Sequence, residues 1–567
     1  MAGTQIPLAA PGVAAGMVPY CLPSQPCWPS LDAWSALNAS VTGRLIRPDG
    51  PLPCVQPQCA DADWRLEQPA SVMFLNFETG QGLIPDDPSR TSTSAPTNSS
   101  FSLPIDRTPA YVLEAHTPSD VSSAVTFARD NRLRLRIKST GHDYLGRSSD
   151  EGSFTLWTRR LNHSRFERDF VPAGAPEGTQ GVPALVAGAG CIVRDLYKAA
   201  DEAGVVVTGG VSQTVGAGGG FVLGGGHGPL APLHGLAADN VLEFTVVTAN
   251  GTILRCSPYQ YPTLFTALRG GGSAFAVVLE TAFKAHTPPA GFVGIFGSFG
   301  LRGGMGASKE EGKEAWREMM KRWTALQPKL SKAGPLAGYT YVRKPEPTPF
   351  AYILPSDDIQ LAKDLFTPVF EACAADPNMS IDWKFVETKS WYELWSGPFT
   401  DALQSLDAVG IPLLLGSRLV PKDVVEQRAD DLANFLADSP SPAIVHLVAG
   451  GAVEKEPDFP SSVNPGWRTA LLHIDLPISW PTSAPPSTIS SLSTYLTSHT
   501  LALGTLTSSL GHPQASYSSE SNYYEADWQD VWYGKENYGR LMEAKREWDP
   551  EGVFSARRAV GSEVVGW

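Results

Sequence analysis

The segment "RIKSTGHDYLGRSS", residues 136–149, decides how the rest of the chain is read. Arg136, Ile137 and Lys138 alternate as a strand does. The strand breaks at Gly141 and delivers His142, Asp143 and Tyr144 in succession before a second break at Gly146. Alone, a histidine after a glycine turn is an ordinary loop residue, so its meaning depends on the flanking segments.

Upstream, "YVLEAHTPSDVSSAVTFARDN" predicts a strand and then a helix. Ser119 is the expected N-cap, and Val121, Ala124, Val125 and Ala128 form one apolar face. Downstream, "ALVAGAGCIVRDLYKAADEAG" repeats the order of strand, glycine turn and helix. Val193, Leu196, Tyr197 and Ala200 lie on one face, with Gly204 at the helix end. "VVVTGG" reads as a further strand. Strands alternating with helices make this region α/β. Beyond residue 289 the texture changes. Trp316, Met319, Met320 and Trp323 recur at helical spacing as a core stripe, and "AIVHLVAGG" and "TALLHIDLPISW" read as strands. That pattern predicts an antiparallel sheet backed by helices. A last helix through Tyr538, Leu541 and Met542 stops at Asp549-Pro550.

Between these elements, "TGGVSQTVGAGGGFVLGGGHGPL" (208–230) places glycine at nearly every second position. Glycine loses more backbone entropy on folding than any other residue, so this density points to close approach of backbone to a ligand or to tight turns. The segment matches neither the G-x-G-x-x-G fingerprint nor a P-loop, and the chain has no G-x-S-x-G or H-E-x-x-H element. A third glycine run lies in "LFTALRGGGSAFAVVLETAFK" (264–284). Three such runs in one α/β region suit a long ligand with a pyrophosphate at its middle.

Composition narrows the function classes. The 567 residues are 42% apolar, with net charge −14 and pI near 5.2. That charge disfavours nucleic acid and anionic membrane surfaces as partners. No apolar run reaches the roughly 18 residues of a membrane span. Four of seven cysteines (Cys21, Cys27, Cys54, Cys59) crowd the first 60 residues without zinc-type spacing, which predicts a disulfide-stapled start of open pairing. Sequons at Asn38, Asn98, Asn162, Asn250 and Asn378 point the same way, to an oxidising compartment. The expected location is extracellular, although "MAGTQIPLAAPGVAAGMVPYC" lacks the basic start of a signal peptide.

"STGHDYLGRSS", the 208–230 loop, "GLAADNVLEFTVVTANG", "LFTALRGGG" and "WYGKENYGRL…WDPEGVF" together resemble the vanillyl-alcohol-oxidase type of FAD enzymes with PCMH-type FAD binding. More narrowly, they resemble a fungal-looking branch of the berberine-bridge-enzyme-like oxidoreductases. The resemblance implies an α+β, two-domain fold. Two α/β subdomains bind FAD, and a substrate domain lays its antiparallel sheet over the isoalloxazine. The expected boundaries are 1–106 for the N-terminal part of the FAD domain, 107–288 for the PCMH-type domain, 289–505 for the substrate domain and 506–567 for the returning berberine-bridge-like segment.

By the same resemblance, His142 is the covalent tether to the flavin. Ser139, Thr140, Gly141, Asp143, Gly146, Arg147 and Ser148 surround it, and Gly216, Gly220, Asn240 and Asn537 contact the cofactor. Many relatives carry a second, cysteinyl tether, but Ser212 stands there, and a hydroxyl lacks thiolate nucleophilicity. A single link is therefore expected. Val215 matches the position facing O2 and leans towards peroxide production. The implied reaction oxidises an alcohol, of a sugar, a small aromatic or a secondary metabolite, with O2 as acceptor, in a monomer. Tyr144, His227, His473, Asp475 and Tyr517 are the acid–base candidates, the histidines and Tyr517 having a structural alternative and Asp475 that of orienting His473. Competing readings are a biosynthetic oxidase coupling oxidation to ring closure, and a catalytically silent flavin-binding protein.

Overall fold

Three sheets organise the chain in the computed structural model, which describes residues 20–47, 109–303, 310–344, 346–403, 413–481 and 484–564. The first contains β1 (Leu45–Ile46), β2 (Tyr111–Glu114), β3 (Leu135–Lys138) and β4 (Phe154–Trp157) in the order β1-β2-β4-β3, with β2 and β3 both parallel to β4. Parallel strands need a crossover, and helix Pro118–Asp130 supplies it. Its cap is Thr117 rather than Ser119. The Thr117 hydroxyl accepts from the Asp120 N–H, the Asp120 carboxylate accepts from the Thr117 N–H, and Pro118 follows. Proline favours the first helical position, where no backbone N–H is required, and this moves the start by two residues. Val121, Ala124, Val125 and Ala128 are buried as the spacing requires.

The second sheet holds β5 (Ser164–Phe170), β6 (Val182–Gly188), β7 (Val241–Val247), β8 (Ile253–Cys256) and β9 (Val277–Lys284) in the order β5-β6-β9-β7-β8. Every pairing in it is antiparallel. The strand expected at "VVVTGG" is absent, and a single bridge from Val206 to His286 stands in its place. Gly209 lies so close to the Tyr197 ring that a Cβ there would meet it at 2.8 Å. The segment leaves the sheet and forms cavity wall at Gly210 and Val211.

The third sheet contains β10 (Phe292–Leu301), β11 (Ala337–Val342), β12 (Thr348–Leu354), β13 (Met379–Thr388), β14 (Leu413–Pro421), β15 (Ala443–Leu447) and β16 (Ala470–Ser479). Its order is β13-β10-β12-β11-β15-β16-β14, antiparallel throughout. Strand periodicity of two assigns its faces. Leu472, Ile474 and Leu476 of β16 enter the core beneath helix Glu310–Ala333, where Trp316, Met319, Met320 and Trp323 lie. His473 and Asp475 take the opposite face, towards the first two sheets.

The chain then returns along helix Lys535–Trp548. There Lys545 donates to the carbonyls of Ala274 (2.7 Å) and Phe554 (2.8 Å) and pairs with Asp549 at 2.6 Å. A Cys21–Cys27 disulfide closes the described N-terminal loop. Cys54 and Cys59 lie outside the described residues.

Candidate active site

A cavity of about 1030 Å³ runs from residues 554–556, past the 139–148 loop and the glycine segment, to the inner face of the third sheet. Glycines of the 208–230 segment serve two purposes. A Cβ at Gly218 would stand 2.3 Å from the Gly188 carbonyl oxygen, and one at Gly228 would stand 1.8 Å from that of Gly209, so these two allow backbone to pack on backbone. Gly216, Gly219, Gly220 and Gly224 line the cavity instead, with Gly272 of the third glycine run.

On this wall the structure brings together Ser139, Thr140, Gly141, His142, Asp143, Tyr144, Arg147, Ser148, Ser212, Val215, Gly216 and Gly220. His142 shares a 2.7 Å hydrogen bond between its Nε2 and the Thr214 hydroxyl, which fixes the ring plane. Asp143 accepts from Arg147 Nε (2.9 Å) and the Leu145 N–H (3.3 Å), holding the turn around Gly146, whose φ is +67°.

Two of the residues expected at the cofactor, Asn240 and Asn537, are not among those lining the cavity. Asn240 donates to the carbonyls of His234 and Leu236, both at 2.9 Å, and its side-chain oxygen meets His286 Nε2 at 2.7 Å. Asn537 donates to the Val463 carbonyl at 2.9 Å and accepts from Arg540. Both amides knit loops together away from the cavity lining. Burial pushes the Cys191 thiol up to about 12, so no thiolate forms there in place of the missing cysteine.

At the other end, strand register sets out the acid–base groups. Tyr339 on β11 is opposite His446 on β15, and His446 is opposite His473 on β16. His446 Nε2 lies 3.3 Å from Asp475 Oδ2, and His227 Nε2 lies 2.9 Å from Glu520 Oε2. His473 joins the two pairs from behind: its Nε2 is 3.0 Å from Asp475 Oδ1 and 2.7 Å from Glu520 Oε2. Tyr517 accepts from the Gly226 N–H at 3.2 Å, and its ring stands 5.2 Å from that of His227.

Glu520 and Tyr517 reach the site through a buried ion pair. Arg418 on β14 meets Glu525 at 2.8 Å, and the Leu419 N–H donates to the Ala515 carbonyl at 2.8 Å.

Burial disfavours charge on His473, but the Asp475 and Glu520 carboxylates overcome it and hold the imidazolium to about 10. Burial also opposes the Glu520 carboxylate, yet His227 and His473 hold it well below the usual range. For His446 burial prevails: its pKa is lowered although Asp475 pulls it upwards, and the imidazole is neutral near pH 7. Burial raises both the Tyr339 and the Tyr517 phenols, which stay protonated.

The candidates His227, Asp475 and Tyr517 thus line the cavity, with Tyr144 on the loop opposite, while His473 is wholly buried behind them. Sequence reasoning missed His446, Tyr339 and Glu520. His446 and Tyr339 sit at alternate positions of their strands, a signal that was present. Glu520 in "SYSSES" has none, because the C-terminal return alone places it.

The FAD binding domain family matches residues 109–257, and the berberine and berberine-like family matches 508–561. An uncharacterized FAD-linked oxidoreductase of Arthroderma benhamiae is 32% identical over 96% of this chain and 94% of its own length. The chain belongs to the berberine-bridge-enzyme-like FAD-linked oxidoreductases.

The crystal structure of the VAO-type flavoprotein MtVAO615 of Myceliophthora thermophila C1 is similar to this oxidoreductase. Its TM-score is 0.76 at 26% identity, over 96% of this chain and 97% of that one. A glucooligosaccharide oxidase of Acremonium strictum, with 6-S-cysteinyl, 8α-N1-histidyl FAD, shares the fold with a TM-score of 0.60 at 19% identity. That match covers 80% of this chain and 92% of that one. The residues present fit FAD: three glycine-rich segments line a single cavity long enough for a dinucleotide, with an anchored imidazole facing a set of acid–base groups.

Proposed function

We propose that this oxidoreductase is an alcohol oxidase, its FAD tethered once, through His142. The observation that carries the reading is the continuity of one cavity from the His142 loop to two imidazole–carboxylate pairs. Held by the glycine-rich wall and His142, FAD would supply two-electron oxidation of the substrate carbon, with O2 as the final acceptor and H2O2 as its product.

His446 is the base. Its ring is neutral, Asp475 Oδ2 lies 3.3 Å from Nε2, and neither ring nitrogen has a hydrogen-bond partner among the described residues, so the ring can take the hydroxyl proton. Asp475 orients the ring and stabilises the imidazolium that forms. The Tyr339 hydroxyl likewise has no hydrogen-bond partner among the described residues and donates to the substrate oxygen. His227 and Glu520 form the second wall of the pocket, and the His473 charge balances both carboxylates. Val215 and Ser212 line the cavity, and a serine at 212 would form no thioether with the cofactor. The Cys21–Cys27 disulfide supports extracellular placement.

The test is direct. Acid-precipitated protein should stay yellow, and the peptide containing His142 should carry the mass of FAD. Reduced holoenzyme should reoxidise in air with release of peroxide. A colourless precipitate refutes the tether, and reduced flavin that persists in air refutes the oxidase.

A further inference from the structure

The register of the third sheet continues the substrate side of the cavity outwards from the histidines. Behind the row Tyr339, His446, His473 comes Tyr341, Ile444, Asp475. The next pair is Leu415 with Pro477, and the next Leu413 with Ser479. Same-face rows lie about 7 Å apart, so the strip from His446 to Leu413 extends about 20 Å. Leu403 and Leu492 close it from the adjoining helices.

Polarity therefore falls along the cavity. At the inner end the Tyr339 hydroxyl and both His446 ring nitrogens are buried without hydrogen-bond partners among the described residues, and a buried polar group is stable only when hydrogen-bonded. Along the strip the apolar wall is Leu413, Leu415, Ile444, Pro477, Leu403 and Leu492, with Tyr341 and Ser479 beside it. On its outer part Ser441 meets the Tyr495 hydroxyl at 3.2 Å, and Arg343 pairs with Glu346 at 3.1 Å while its Nε has no hydrogen-bond partner among the described residues.

We propose that the substrate is a hydrocarbon-bodied alcohol, with its hydroxyl at Tyr339 and His446 and its body along Leu415, Pro477 and Leu413. This rests on the alcohol-oxidase reading and narrows it. A sugar laid on the same strip would lose water from several hydroxyls against leucine and proline and leave them unpaired. The reaction balances as R–CH2OH + O2 → R–CHO + H2O2. The C–H and O–H bonds break, the C=O bond forms, and O2 takes up two electrons and two protons.

The experiment measures peroxide release by the holoenzyme with 1-alkanols from butanol to dodecanol, and with glucose and cellobiose. In parallel, the alkanols compete with the neutral apolar fluorophore N-phenyl-1-naphthylamine. The expected result is kcat/KM rising about fourfold per methylene, the equivalent of ~0.8 kcal/mol, with both sugars inert. Leu415→Ser should flatten that slope and weaken the competition; if that variant does not fold, the wild-type series alone decides. Peroxide from sugars, or from alkanols without length dependence, overturns the hydrocarbon assignment and leaves the oxidase standing. Length-dependent displacement of the fluorophore without peroxide supports the strip and refutes the oxidase. Neither peroxide nor displacement overturns the proposal.

Discussion

Glu520→Gln isolates one carboxylate while keeping its shape and an oxygen to accept from both imidazoles. In the wild type, His473 is buried, yet it is held to about 10 against an ordinary value of 6.5. That difference is worth about 5 kcal/mol of net preference for the imidazolium. It remains after burial has been overcome, so the attraction of Asp475 and Glu520 together exceeds it. Asp475 is the larger attraction and Glu520, 2.7 Å away, the next. Removing the Glu520 charge should lower the His473 midpoint by the roughly 1–3 pH units that one opposite charge in contact is worth.

Protein with 13Cε1-labelled histidine permits the measurement by NMR, the resonance being assigned through its loss in His473→Asn. The wild-type signal should move with a midpoint near 10 and that of Glu520→Gln with a midpoint roughly 1–3 pH units lower. An unchanged midpoint in Glu520→Gln, or a wild-type midpoint below 7, refutes the charge arrangement from which the roles of His473 and Glu520 are argued.

His142→Ala should release all its flavin on acid precipitation and slow flavin reduction about tenfold, because the electron-withdrawing imidazole link is lost; absorbance and stopped-flow traces check both. His446→Ala should lower the rate of flavin reduction by about 10²–10⁴, and the wild-type rate should fall with acid only below pH 6.5, since burial lowers this histidine and a base fails as pH drops through its pKa. Asp150, buried among Arg136 (2.8 Å), Arg557 (3.1 Å) and Arg134 (3.5 Å), is held to about 2. A lowered carboxylate stabilises the fold above its unfolded pKa and loses that contribution as pH falls towards 2, so Asp150→Asn should cost about 3–5 kcal/mol at pH 7 in urea unfolding, with the gap to wild type closing between pH 4 and 2. Gly228→Ala should displace the backbone beside His227, lowering the urea midpoint by about 1–3 kcal/mol of stability together with the reduction rate.

Local pattern made much of the architecture legible. Apolar spacing gave the helices at 118–130, 193–202 and 310–333, because an amphipathic face is written at intervals of three and four residues whatever packs against it. The cap at Thr117 and the missing strand at 205–210 were harder to read. A proline and a single glycine–tyrosine contact decided them, each outweighing a generic preference. The antiparallel second sheet was invisible for another reason: strand–helix alternation reports sequence order and says nothing of which strands pair.

The sequence by itself determined the glycine-rich lining, the His142 turn and the inward face of β16, since each depends on backbone geometry and period within a few residues. Tertiary structure alone decided that Asp475 shares His473 with Glu520, that His446 keeps an unpaired nitrogen, and that Asn240 and Asn537 turn away from the cavity. Those outcomes are set by electrostatic fields and hydrogen-bond partners up to hundreds of residues distant along the chain, which no local window contains.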